Sequence, residues 1–255
     1  MRKLFIAGNW KMHMSAEETK DFCRELRSKG LEDLEVDVLL CPPFTSIPAM
    51  VSVLKDTPVQ VGGQNMHQED KGAYTGEISV AMLKEAGCSH VLIGHSERRQ
   101  YFHESDAGVN GKTKKALEKG ITPVICIGET KEEREKDITR EVVKKQLLGA
   151  LEDISSEEIS KTVIAYEPVW AIGTGLTATP EQAQEVHRYI RSILEERTDA
   201  QTAERLQILY GGSAKPDNAE SLLSEEDIDG LLIGGASLNA DHFYRMIEIA
   251  SQYKD

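Results

Sequence analysis

The sequence predicts an α/β protein in which eight parallel strands surrounded by helices close into a (β/α)8 barrel. Three observations carry that expectation. Apolar, β-branched-rich runs recur eight times, each is near-continuous in hydrophobicity, and polar segments with helix punctuation lie between them. A run without alternation belongs to a strand buried on both faces, as in a parallel sheet covered by helices. Eight such units in 255 residues suit a closed barrel, whereas an open doubly wound sheet, the alternative, more often has fewer strands. No linker-like stretch or composition shift divides the chain, so one barrel domain over 1–255 is expected.

In order, the runs are 4–7, 36–41, 59–62, 91–93, 122–127, 162–166, 206–209 and 231–233. After the first, Ser15 and Glu18 form a capping box ahead of Thr19, Phe22, Cys23 and Leu26 at helical spacing. Helices are expected over 46–54, 78–86, 105–118, 131–151 and 215–223. A further one begins at Thr179-Pro180-Glu181-Gln182, an N-cap, a first-turn proline and a box glutamine. The last helix sets Phe243, Met246, Ile247 and Ala250 on one face.

Composition removes several classes of function. With 30 Lys+Arg against 43 Asp+Glu, the net charge of −13 repels nucleic acid and anionic lipid, and the clusters at 112–115 and 98–99 are too short to track phosphates. No apolar stretch approaches the roughly 20 residues of a membrane helix. The segment after Arg2 and Lys3 stops at Asn9, short of a signal peptide's apolar core. Cys23, Cys41, Cys88 and Cys126 show no C-x-x-C spacing, which suits a reducing cytoplasm, and Cys126 reads as a packed thiol. His13, His67, His90, His103, His187 and His242 make no metal-binding pattern, so no metal is expected.

Active residues of such barrels sit where strands end. The first run ends in Gly8-Asn9-Trp10-Lys11, the third in Gly62-Gly63-Gln64-Asn65, the fourth in Gly94-His95-Ser96-Glu97 and the sixth in Glu167-Pro168. The seventh and eighth end in Gly211-Gly212-Ser213 and Gly234-Gly235-Ala236-Ser237, turns whose N–H groups can approach a phosphate closely. Glu167, set among apolar walls, is expected to have a raised pKa and to act as a base on a carbon acid. His95, at a helix start, is expected to be a neutral donor, and Lys11 supplies local positive charge. Ile172-Gly173-Thr174-Gly175 lacks the full dinucleotide fingerprint and follows no strand directly, so a mobile segment between Pro168 and Pro180 is the better reading.

Ala7-Gly8-Asn9-Trp10-Lys11-Met12, Gly94-His95-Ser96-Glu97-Arg98-Arg99, Ala165-Tyr166-Glu167-Pro168-Val169-Trp170-Ala171-Ile172-Gly173-Thr174-Gly175, Tyr210-Gly211-Gly212-Ser213 and Gly234-Gly235-Ala236-Ser237-Leu238 resemble the signature blocks of the triosephosphate isomerase family. The resemblance runs from Leu4 to about Ile249. It implies a cofactor-free enzyme of glycolysis and gluconeogenesis that interconverts dihydroxyacetone phosphate and D-glyceraldehyde 3-phosphate through an enediolate. It further implies Glu167 as base and neutral His95 as electrophile and proton carrier. Asn9 and Lys11 stabilise the oxyanion, and Glu97 pairs with Lys11. The backbone at Gly173, Ser213, Gly234 and Gly235 holds the phosphate. Pro168 through Gly175, with Leu176, Thr177 and Ala178, corresponds to the family's closing lid, which keeps water from an intermediate able to eliminate phosphate. Leu176 stands where many members have Lys. The segment 64–77 resembles a loop that inserts Thr75 into a second subunit, so a cytoplasmic homodimer is implied. Two other readings stay open on the residues: a Schiff-base aldolase using Lys11, and a phosphate-binding barrel without catalysis.

Overall fold

The computed structural model describes residues 2–32, 34–172 and 177–253. Eight strands, β1 (Phe5–Asn9), β2 (Asp37–Cys41), β3 (Gln60–Gly63), β4 (His90–Ile93), β5 (Thr122–Ile127), β6 (Val163–Tyr166), β7 (Ile208–Tyr210) and β8 (Gly230–Ile233), lie in sequence order around a closed barrel. All pairings are parallel, and β1 closes on β8 with Phe5 opposite Gly230 and Gly8 opposite Ile233. The structure therefore has the barrel rather than the open sheet, and each expected run holds a strand to within two residues at either end.

Two cores follow from the two faces of each strand. Phe5, Ala7, Leu39, Cys41, Leu92, Val124, Cys126, Val163, Ala165, Leu209 and Leu232 form one cluster. Their spacing of two along each strand places them on the inner face. The alternate residues, Ile6, Val38, Leu40, Val91, Ile93, Ile125, Ile164, Ile208, Leu231 and Ile233, pack outward against the helices. Continuous hydrophobicity in the runs is the trace of this double burial.

The predicted caps are present. Glu18 accepts from the Ser15 N–H at 2.8 Å, and Gln182 accepts from the Thr179 N–H at 3.0 Å. Helix Ala16–Arg27 buries Thr19, Phe22, Cys23 and Leu26, and helix Ala240–Ser251 buries Phe243, Met246, Ile247 and Ala250. One helix expectation fails. The segment 131–151 is two helices, Lys131–Glu135 and Thr139–Ala150, because Asp137 adopts a left-handed φ of +58° between them. An aspartate tolerates that conformation, and apolar spacing does not report it. Short helices Ser96–Phe102, Ser156–Ile159 and Ala200–Arg205 add to those expected.

At the N-terminal end of the barrel charged groups are packed against one another. Arg191 donates through Nε to Asp227 at 2.5 Å, through one terminal nitrogen to Asp229 at 2.6 Å and through the other to the carbonyls of Ala203 and Leu206. Asp229 also accepts from the Ile208 N–H and pairs with Arg2. The C-terminal end is built differently.

Candidate active site

Inner-face parity delivers the first two residues to the C-terminal mouth. Asn9 continues the series Phe5, Ala7, and Glu167 continues Val163, Ala165, so each side chain emerges above the last inner layer. Asn9 is 5% and Glu167 2% exposed. Glu167 is held by neighbours that must be glycine. A Cβ on Gly211 would lie 2.8 Å from its Cγ and 3.1 Å from the Tyr166 carbonyl, while one on Gly128 would overlap the Glu167 backbone.

His95 reaches the mouth by a turn. Gly94 has φ +76°, and His95 caps helix Ser96–Phe102. The Glu97 N–H donates to His95 Nδ1 at 3.3 Å, which leaves the ring proton on Nε2. That nitrogen lies 2.9 Å from Glu167 Oε1, and Glu167 Oε2 accepts from the Ser96 N–H at 2.9 Å. In the docked pair the imidazole Nε2–H donates to the carboxylate.

The charge balance of this pair differs from the sequence expectation. Burial does push the Glu167 carboxyl upward, but the His95 ring, the Ser96 N–H and Lys11 outweigh it and hold the group below the ordinary glutamate value. For His95, burial pulls the ring down, and the Glu167 charge and hydrogen bond, with Glu97, outweigh it and raise the ring above the ordinary value. Apolar surroundings alone would have given opposite directions. The contact between the two residues, 72 positions apart in sequence, reverses both.

Lys11 has a left-handed φ of +51°, its N–H donates to Asn9 Oδ1 at 3.0 Å, and its Nζ reaches Glu97 at 2.8 Å. The Gln64 amide donates to the Lys11 carbonyl at 2.8 Å and the Cys41 carbonyl at 2.9 Å, fixing this strained residue from the end of β3. Across the mouth, a Cβ on Gly234 would face Lys11 Cε at 3.6 Å and one on Gly235 would meet nothing within 4 Å, so the backbone there borders open space. Ser237 bonds back to the Gly234 carbonyl at 2.7 Å and accepts from Trp10 Nε1 at 3.1 Å, locking that turn.

One cavity of about 760 Å³ is lined by Asn9, Lys11, His95, Glu167, Ser213, Gly234 and Gly235, together with Ile172, Gly211 and Gly212. Glu97 joins this group through Lys11. Thr75 stands apart, exposed on the loop whose base is the His67 N–H to Ile78 carbonyl bond. Gly173, Thr174, Gly175 and Leu176 lie outside the described residues. Among those described, no group of three acidic, histidine or cysteine side chains could hold a metal ion. The arrangement offers a carboxylate base, an imidazole donor, a lysine cation and glycine-rich backbone around one space, which suits proton transfer within a small phosphorylated carbon acid.

Sequence reading passed over Glu129. Fully buried after β5, it accepts from Tyr166 Oη at 3.1 Å and Trp170 Nε1 at 2.8 Å, with Arg134 at 3.6 Å. Burial raises its pKa against these partners. It anchors the first turn of the segment after Glu167, and Ile127-Gly128-Glu129 is the strand end at which it could have been found. The Ser96 N–H has no sequence signal, since any residue there supplies one.

Residues 4–250 match the family model described as Triosephosphate isomerase. Proteins named triosephosphate isomerase from Herpetosiphon aurantiacus, Alkaliphilus metalliredigens and Endomicrobium trichonymphae are 52%, 51% and 49% identical to the chain, in each case over 97% of it and 99% of the relative.

Proposed function

The chain belongs to the triosephosphate isomerase family and is an isomerase of triose phosphates, and from that premise we propose how its residues perform the interconversion of dihydroxyacetone phosphate and D-glyceraldehyde 3-phosphate. The phosphate sits on the backbone of Ser213, Gly234 and Gly235, with Gly173 added from the lid, and Lys11 offsets its charge. Glu167 leaves the Ser96 N–H and takes a proton from the carbon beside the carbonyl. His95 donates its Nε2 hydrogen to the carbonyl oxygen, and Asn9 and Lys11 stabilise the enediolate that forms. His95 then recovers a proton from the neighbouring hydroxyl, whose oxygen becomes the new carbonyl, and Glu167 returns its proton to the former carbonyl carbon, so both residues end as they began and atoms and charge balance without a cofactor. This pairing of carboxylate and neutral histidine is the one for which the family is the standard example.

The observation that carries the reading is the 2.9 Å approach of Glu167 to His95 in the cavity that also holds Lys11 and the two glycine turns. When Glu167 moves to substrate, His95 loses the charge and hydrogen bond of Glu167, the larger of the contacts that raise its pKa. Burial, the largest influence, and Lys11 then lower it against Glu97 alone, which favours the neutral ring. Pro168 to Ala178 closes over the intermediate and excludes water.

Assembly and location belong to the same proposal: one barrel domain per chain, a homodimer, in the cytoplasm. Large apolar side chains stand exposed near the loops concerned, Met12 at 93%, Tyr101 and Phe102 at 64% and Tyr74 beside Thr75 at 44%. Such groups call for a covering surface. All four cysteines are free and buried, in keeping with a reducing compartment.

A coupled assay of the parent chain and Glu167→Ala tests the reaction and its base together. The parent is expected to turn over dihydroxyacetone phosphate rapidly and the variant to lose about 10³-fold or more in kcat. A folded parent without activity, or a variant with the parent's kcat, would overturn the reading.

A further inference from the structure

The residue that aims His95 is itself gripped by two charged side chains. Gly94 lies past the end of the β4–β5 ladder, which stops at Ile93, so its polar groups have no strand partner there. Its N–H donates to Glu104 Oε2 at 3.1 Å, and its carbonyl accepts from Arg99 Nε at 2.9 Å. The Glu104 side chain is 4% exposed. Its other oxygen accepts from Lys112, which also donates to Asn65 Oδ1 at 2.8 Å. The turn cannot be stiffened by a larger residue, because a Cβ on Gly94 would lie 2.9 Å from Val109 Cγ2 and 3.1 Å from the Cys126 carbonyl.

We infer that Glu104 is a positioning residue for the isomerisation: anchored by Lys112, its carboxylate holds the Gly94 peptide so that His95 presents Nε2 to the cavity. The inference rests on the reading of His95 given above. A buried carboxylate is costly to desolvate, and a salt bridge alone does little to offset that cost. Here the oxygen not taken by Lys112 accepts the amide next to the reacting ring. Without that acceptor the Gly94 N–H is buried and unpaired, and a left-handed glycine relaxes readily. A reacting group displaced by about 1 Å can cost about 10²-fold in rate, so the effect falls on kcat rather than on binding.

The test compares Glu104→Met, Glu104→Gln, His95→Asn and the Glu104→Met/His95→Asn double variant. It reads kcat, KM, sedimentation and the imidazole nitrogen resonances of His95. Glu104→Met is expected to keep the parent's assembly, lose about 30-fold in kcat, hold KM within about three-fold and shift the His95 resonances. Glu104→Gln, whose amide oxygen still accepts the Gly94 N–H, is expected to stay within about three-fold of the parent. In the double variant the Met substitution is expected to add less than about three-fold to the loss from His95→Asn. Parent-like kcat in Glu104→Met, or an equal loss in Glu104→Gln, would overturn the inference. Should Glu104→Met not fold, Glu104→Gln decides alone: parent-like kcat and His95 resonances sustain the inference, and a loss above about ten-fold overturns it. Failure of the underlying reading shows separately, as a His95→Asn variant with the parent's kcat.

Discussion

The two ends of the barrel both bury charge, yet they leave it in opposite conditions. At the N-terminal end Arg191 has its donors taken by Asp227, Asp229 and two carbonyls, and Asp229 is shared with Arg2 and a backbone N–H. At the mouth Glu167 rests on one histidine nitrogen and one backbone N–H, beside a cavity of about 760 Å³. Saturated charge holds a structure together, whereas charge with movable partners can be redirected to a substrate. The comparison teaches that burial alone does not mark a catalytic group. What marks it is burial with an exit.

The contrast predicts that substitutions at the two ends separate rate from stability. The largest effect is expected from Asp229→Ala, which takes from Arg191 and Arg2 the buried carboxylate they share: about 3–5 kcal/mol of stability lost in urea unfolding, with the kcat of the folded fraction kept within about three-fold. Glu167→Gln is expected to do the reverse, removing about 10³-fold of kcat while the unfolding midpoint holds or rises. A large stability loss in Glu167→Gln would erase the distinction.

The buried histidines extend the comparison to pH. Outside the cavity, burial pushes His187 down to about 3, against its bond to the Asp227 carbonyl and with help from Arg191, and pushes His90 down to about 4, against Asp37. The unfolded chain protonates both near their ordinary value of 6.5 and the native protein does not. Their contribution is thus fully present above about pH 6.5 and is lost as pH falls toward about 4, each costing roughly 1.4 kcal/mol per pH unit. Unfolding curves between pH 7 and pH 4 read this slope. The His187→Phe variant is expected to lose its share, and a curve as steep as the parent's would contradict the assignment.

Two smaller effects sharpen the picture of the mouth. Gly211→Ala places a methyl 2.8 Å from Glu167 Cγ, and is expected to cost about ten-fold in kcat with little change in unfolding. Thr130→Ala removes the capping box at Lys131–Glu135, and is expected to cost about 1 kcal/mol in stability, with kcat unchanged.

Much of this was legible from residue patterns. Continuous apolar runs gave eight strands because each is packed on both faces, and reading the strand ends found Asn9, Lys11, His95, Glu167, Ser213, Gly234 and Gly235, which share one cavity. What escaped depends on contacts between distant parts of the chain. The direction of the Glu167 shift is set by His95 and Ser96, and the Gly94 clamp by Glu104 and Arg99, through folding that no local spacing encodes. The break at Asp137 escaped for a local reason, since one left-handed residue leaves the apolar pattern of 131–151 intact.

On the proposed mechanism the mouth moves a proton rather than a hydride, through Glu167. Turnover of dihydroxyacetone phosphate in D2O, followed by NMR of the glyceraldehyde 3-phosphate formed, tests it most directly. Solvent deuterium is expected on the receiving carbon in part of the product, because the proton on the carboxylate exchanges whenever the lid opens before the second step, whereas a hydride passed directly between carbons never exchanges. Product free of deuterium from an active parent would contradict the mechanism.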